Sequence, residues 1–207
     1  MILKTKLLFV SVATMFFYPM LSGCTQNPST QKKETPSIAI NNEKSGQLIS
    51  LQQKPDTLKG SLKAQVQGNI GSATVQIMYH SPAVRKRVVW GGLVPYDQVW
   101  VTGAHKATSL QTDQDLTIAG KKIPAGKYAL FTIPGINEWV IIINKNWQQH
   151  LVDDYLDKED LFRIKIKPEI RTENQERLRY EIVSAPENKG EIVFSWEKIK
   201  IVIPVSQ

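Results

Sequence analysis

Leu62-Lys63-Ala64-Gln65-Val66-Gln67 and Thr74-Val75-Gln76-Ile77-Met78-Tyr79 decide the fold class. In each, apolar and polar residues alternate one by one. Leu62, Ala64 and Val66, or Val75, Ile77 and Tyr79, therefore share one face of an extended chain and their polar neighbours share the other. That is the pattern of a strand buried on one side. Gly68-Asn69 between the two runs predicts the reversal that joins them. The alternation returns at Leu161 to Lys167 and at Arg177 to Val183.

Working outward, Val140 to Ile143 is an unbroken apolar run between Asn137 and Asn144, which predicts a central strand covered on both faces. Glu191 to Trp196 and Ile199 to Val205 read as a closing pair of strands. Turn residues at Ala119-Gly120, Pro124-Ala125-Gly126, Pro134-Gly135 and Asn188-Lys189-Gly190 punctuate the chain, at the spacing of about 8–12 residues usual for sandwiches. One helix is expected, over Trp147 to Lys158, where Trp147, Leu151 and Tyr155 recur at helical spacing behind Asn144 or Asn146 as a cap. The expected architecture is all-β: one β-sandwich or jelly-roll-like domain over 60–207 with at most one short helix.

Ahead of that domain lie two segments of different character. Lys4 and Lys6, the apolar stretch Leu7 to Met20 and then Leu21-Ser22-Gly23-Cys24 have the layout of a lipoprotein export signal over 1–23, with Cys24 as the lipidation site. The apolar stretch is interrupted by Ser11, Thr14 and Pro19, and it is short of the roughly 20 residues a membrane span needs. Cys24 is the chain's one cysteine, and an odd cysteine in an exported chain is explained by lipidation, since no partner exists for a disulfide within it. Residues 24–59 are polar, with Pro28 and Pro36 among Gln, Asn, Ser, Thr and Lys. Such a composition buries too little apolar area to offset chain entropy, which predicts a flexible tether.

Net charge bounds the partners. Removal of residues 1–23 takes Lys4 and Lys6, so the formal charge falls from +7 to +5. Lys and Arg are interleaved with Asp and Glu, which predicts a solvated surface weakly attracted to anionic headgroups and argues against nucleic acid as a partner. The expected partners are a lipid bilayer, through acylated Cys24, and a small-molecule, anionic or glycan ligand; no cofactor is expected.

Several motifs agree in order and spacing with one family. Tyr79-His80-Ser81-Pro82-Ala83-Val84-Arg85, Gly91-Gly92-Leu93-Val94-Pro95-Tyr96, Trp100-Val101-Thr102-Gly103-Ala104-His105-Lys106-Ala107-Thr108, Ile123 to Pro134 and Glu138-Trp139 resemble the bacterial domain of unknown function 2911, over about Gln67 to Pro168. The resemblance implies an exported protein or lipoprotein of Bacteroidota or their relatives, with no assigned activity. Two positions depart from the family's usual residues: Val101 stands where Arg is usual and His105 where Asn is usual, which bears on any ligand those positions hold. Surface-sorted lipoproteins of that group carry acids just after the cysteine, and Thr25-Gln26-Asn27-Pro28-Ser29 has none. The expected location is therefore an inner or outer envelope membrane, lipid-anchored and facing the periplasm.

The stretch Tyr79 to Thr108 also concentrates recognition chemistry. Arg85 and Arg87 supply paired donors for an anion, Trp100 a flat stacking face, and Thr102 and His105 polar contacts. These five are the candidate ligand-binding residues. The competing reading makes Trp90 and Trp100 core residues and Arg85 to Arg87 a solvated edge. His80, His105 and His150 lie far apart with no metal-binding spacing, so no metal site is expected. No Gly-x-Ser-x-Gly elbow is present, and nothing pairs Asp97, Asp113, Asp115, Glu138 or Glu169 for glycoside hydrolysis, so no catalytic residue is assigned. The expected function is a non-catalytic binding or structural module of the envelope. The alternatives are a hydrolase acting on envelope glycans or small extracellular substrates, possibly metal-assisted, and a scaffold binding another envelope protein along a sheet edge.

Overall fold

The computed structural model describes residues 56–207. The export signal, Cys24 and the polar segment as far as residue 55 lie outside the described residues. Ten strands follow in chain order: β1 (Leu62–Ile70), β2 (Ala73–Ser81), β3 (Thr108–Thr112), β4 (Leu116–Ile118), β5 (Lys121–Ile123), β6 (Gly126–Ile133), β7 (Trp139–Asn144), β8 (Asp160–Ile166), β9 (Glu169–Ala185) and β10 (Lys189–Ser206). They form a six-stranded sheet in the order β1-β2-β3-β6-β7-β8 and a four-stranded sheet in the order β5-β4-β10-β9. Every strand pairing is antiparallel. The protein is an all-β sandwich.

The alternation read from the sequence sets which faces meet. Ala64, Val75, Ile77, Leu110 and Ile141 of the large sheet pack with Tyr180, Ile192, Phe194, Ile201 and Ile203 of the small one in the main core. Burial of such side chains, at roughly 25 cal/mol per Å² of apolar surface, holds the sheets together. The unbroken run in β7 is explained by a second cluster. Ile141 and Ile143 belong to the main core, whereas Ile142 packs outside the large sheet with Val101, Ala107, Ala129 and Phe131. Trp147 and Tyr155 cover that outer cluster.

Four local expectations change. First, β1 runs on through Gly68-Asn69, and the reversal falls at Gly71-Ser72. Gly68 pairs with Val75 inside the strand, and a Cβ there would stand 2.9 Å from the Ile182 side chain of β9. Second, the last two apolar segments are one strand, paired with β9 rather than with each other. Its register shifts on either side of Glu197, whose φ of 54° makes a bulge in place of a turn. Third, Asn188-Lys189-Gly190 only begins as a turn, since β10 starts at Lys189. Fourth, no α-helix forms over Trp147 to Lys158; the segment is turns closed by a 3₁₀ turn at Asp157–Glu159. Buried Asn144 overrides the helical spacing by pinching the segment's ends. Its Oδ1 accepts from the Asn146 amide at 2.8 Å, and its Nδ2 donates to the Leu156 carbonyl at 3.0 Å and to Asp160 Oδ1 at 2.8 Å.

Candidate functional site: a cationic recess on the large sheet

Register places the site. Lys63 in β1 pairs with His80 in β2, and Met78 two residues back pairs with Ser109 in β3. Strand alternation then puts Lys63, His80 and Ser109 on the outer face, opposite the core residues Ala64 and Tyr79. Gln111 in β3 pairs with Lys127 in β6, which adds a second lysine to that face. The far wall comes from the irregular segment after β7. The Ala107 amide donates to the Gln149 carbonyl at 3.0 Å, and the Leu151 amide donates to the His105 carbonyl. These bonds close a ridge over the sheet.

Between ridge and sheet lies a cavity of about 360 Å³ whose walls include Lys63, His80, Lys106, Lys127 and His150. Its size falls within the roughly 300–1,000 Å³ usual for small-molecule sites. No Asp or Glu lines it. The Lys127 Nζ stands 3.9 Å from the centre of the Trp147 ring, so one wall is a cation held against an indole face. The His80 and His105 rings meet edge to face with centroids 5.2 Å apart. Burial first, then the charges around His105, Lys63 and Lys106, hold the His80 imidazole below its ordinary value of 6.5. His150 Nδ1 lies 3.0 Å from Asp153, an exposed pair. A recess with three ammonium groups, two imidazoles and no carboxylate in its walls is suited to a small anion.

The five residues singled out in the sequence do not gather there. His105 stands beside His80, exposed, with φ at 62°. That left-handed backbone is tolerated by Asn and His better than by most residues, which gives the position a conformational role. Thr102 is 1% exposed: its hydroxyl lies 3.0 Å from that of Thr132, and its carbonyl accepts from the Thr108 hydroxyl at 3.0 Å and the Tyr180 hydroxyl at 3.2 Å. Trp100 is turned into the sandwich, stacked on Trp196 with centroids 5.7 Å apart and edge-on to Trp90 at 5.9 Å. Arg87 folds back onto the Ala83 and Val84 carbonyls, and Arg85 donates to the Leu58 carbonyl. Val101 is buried in the outer apolar cluster.

The acids are dispersed in the same way. Asp113 accepts from the Thr74 amide at 2.7 Å, Asp115 from the Ala125 amide at 2.9 Å, Glu138 pairs with Lys165 and Glu169 with Lys200. Among the described residues no group of three or more His, Cys, Asp or Glu is placed to hold a metal ion. Sequence reasoning missed the recess because Lys63 and Lys127 sit at polar positions of alternating strands, where a lysine normally faces water. The one legible signal was His80 and His105 within the motif-rich stretch.

Fold and recess together define a small all-β protein with a cationic cavity on one sheet. A family model described as a protein of unknown function, DUF2911, matches residues 61–205, and the chain belongs to that family. No curated protein and no solved structure matches it.

Proposed function

We propose that this chain is a lipoprotein of a Bacteroidota-type envelope, held through acylated Cys24 to the inner or outer membrane on its periplasmic side, and that its sandwich captures a small anion without transforming it. The observation that carries the binding half is the cavity lined by Lys63, Lys106, Lys127, His80 and His150 with no carboxylate among its walls. Capture is favoured over hydrolysis because Asp113, Asp115, Glu138 and Glu169 are tied to contacts away from the recess. An anionic ligand is favoured over a neutral glycan because Trp100 packs inward and Lys127 covers the Trp147 ring.

The pH dependence follows from His80. Its proton affinity is lowered by burial and by neighbouring cations, so the imidazole holds its charge less readily than a free histidine as pH falls. A bound anion offsets the cations and raises that proton affinity, so by linkage the anion binds more tightly as pH falls. Sulfate, which stays a dianion throughout this range, titrated at pH 7.5 and at pH 5.5 and followed through the His80 ring resonance, is expected to show tighter binding at the lower pH and an upward shift of the His80 titration. Lys63 and Lys106 are exposed, so Lys63→Ala/Lys106→Ala leaves the fold intact and lowers sulfate affinity about tenfold. Unchanged binding in that variant, or an unmoved His80 resonance, defeats the assignment.

The anchor is tested separately. Cys24→Ser is expected to move the protein from the envelope fraction to the soluble fraction, because each buried methylene of an acyl chain contributes about 0.8 kcal/mol. Retention of the serine variant in the envelope rejects the lipid anchor.

A further inference from the structure

We infer that the end of the sandwich bearing Arg85-Lys86-Arg87-Val88 is a second membrane contact, which lays this end of the domain against an anionic bilayer. The antiparallel pairing puts the start of β1, the end of β2, the end of β6 and the start of β7 at one end. The segment that leads into β1 is fixed at that end: the Leu58 carbonyl accepts from Arg177 at 2.6 Å and also from Arg85. The chain arriving from the side of Cys24 thus joins the body next to the three consecutive cations. This orientation rests on the lipid-anchor reading. The chemistry of the surface is independent of it.

Val88 is 74% exposed, Leu93 43% and Ile136 75%. They stand on hydrogen-bonded backbone. The Leu93 amide donates to the Val88 carbonyl at 3.0 Å and the Val94 amide to the Val89 carbonyl at 2.8 Å, while Val89 and Val94 are buried in the core. Between them Trp90 packs edge-on to Trp139 with centroids 4.9 Å apart. The Asp97 amide donates to the Pro134 carbonyl at 2.9 Å, which ties the Ile136 loop to the same platform. Arg85 and Lys86 both have left-handed backbone, with φ of 49° and 58°, a conformation that costs of order 1–3 kcal/mol per residue and concentrates where chains meet ligands. Cations beside exposed apolar side chains complement anionic headgroups over a hydrocarbon layer. A tethered body needs only weak contact of this kind, since the tether keeps its local concentration high.

The test removes the anchor. Residues 24–207 carrying Cys24→Ser, which retain the whole described body, are mixed with vesicles of phosphatidylglycerol in phosphatidylcholine and with phosphatidylcholine alone, and sedimented. Binding is expected to the anionic vesicles only and to weaken with salt. At about fivefold per cation, Lys86→Glu lowers affinity about thirtyfold. Val88→Ser/Leu93→Ser lowers it further, with no change of fold because neither side chain is in the core. Lys189→Glu makes the same charge change at the opposite end, where Lys189 pairs with Glu187, and is expected to alter affinity less than about twofold. Absence of binding to anionic vesicles, or an equal loss in Lys189→Glu, overturns the proposal. Neither result touches the anchor, which is read by the fractionation of Cys24→Ser in cells.

Discussion

Arg177→Ala is expected to destabilise the protein by about 3–5 kcal/mol and to release the segment that leads into β1, because it breaks a buried charge pair from one side. Arg177 is 3% exposed, and its Nη2 lies 3.0 Å from Asp56 Oδ2. The same guanidinium donates to the Leu58 carbonyl at 2.6 Å, the Gly60 carbonyl at 3.0 Å and the Ser81 carbonyl at 3.1 Å. One fork thus fastens the incoming chain to the end of β2. Its removal takes that donor from the Gly60 and Ser81 carbonyls and the Asp56 carboxylate, and leaves the Leu58 carbonyl to Arg85 alone. Arg177→Lys keeps the charge but not the planar fork, and is expected to recover less than half of the loss. Urea unfolding gives the free energy, and trypsin reports the segment through cleavage after Lys59. A loss below about 1 kcal/mol, with Lys59 still protected, shows that the fork does not hold this segment.

Trp139→Ala is expected to cost about 3–5 kcal/mol, the range for truncating a buried large aromatic. Trp139 is almost fully buried, edge-on to Trp90 at 4.9 Å and 5.7 Å from Phe194. Those contacts join the large sheet to the small one and also support the loop that presents Val88 and Leu93. The variant is therefore expected to lower the urea midpoint with an unchanged slope, and to weaken binding to anionic vesicles although no membrane-facing side chain is altered. Val140→Ala, one residue along at a half-buried position, is expected to cost markedly less. Equal costs at the two positions show that Trp139 is not the keystone of the aromatic cluster.

The fold was legible wherever one residue's neighbours in sequence also decide its burial. Val75, Ile77 and Tyr79 alternate in sequence and point inward in β2. Where burial depends on chain from elsewhere, local pattern does not decide it. Gly68 resembles a turn residue until Ile182 of β9 is brought within 2.9 Å of its missing side chain. Trp147 and Tyr155 have helical spacing, yet they cover Phe131 and Ile142 from an irregular segment whose ends Asn144 ties together. Trp100 resembles a stacking platform until Trp196, far along the chain, packs against it.

The all-β class and the family are written in local stretches of the chain, because a two-residue period and ordered local motifs are properties of neighbouring residues. The cationic recess and the basic, apolar end arise only on folding. Lys63, Lys106 and Lys127 are separated along the chain and share a cavity only because antiparallel register sets their strands and loop side by side. Like charges brought together by register leave no trace in local periodicity, since each lysine alone reads as an ordinary residue facing water.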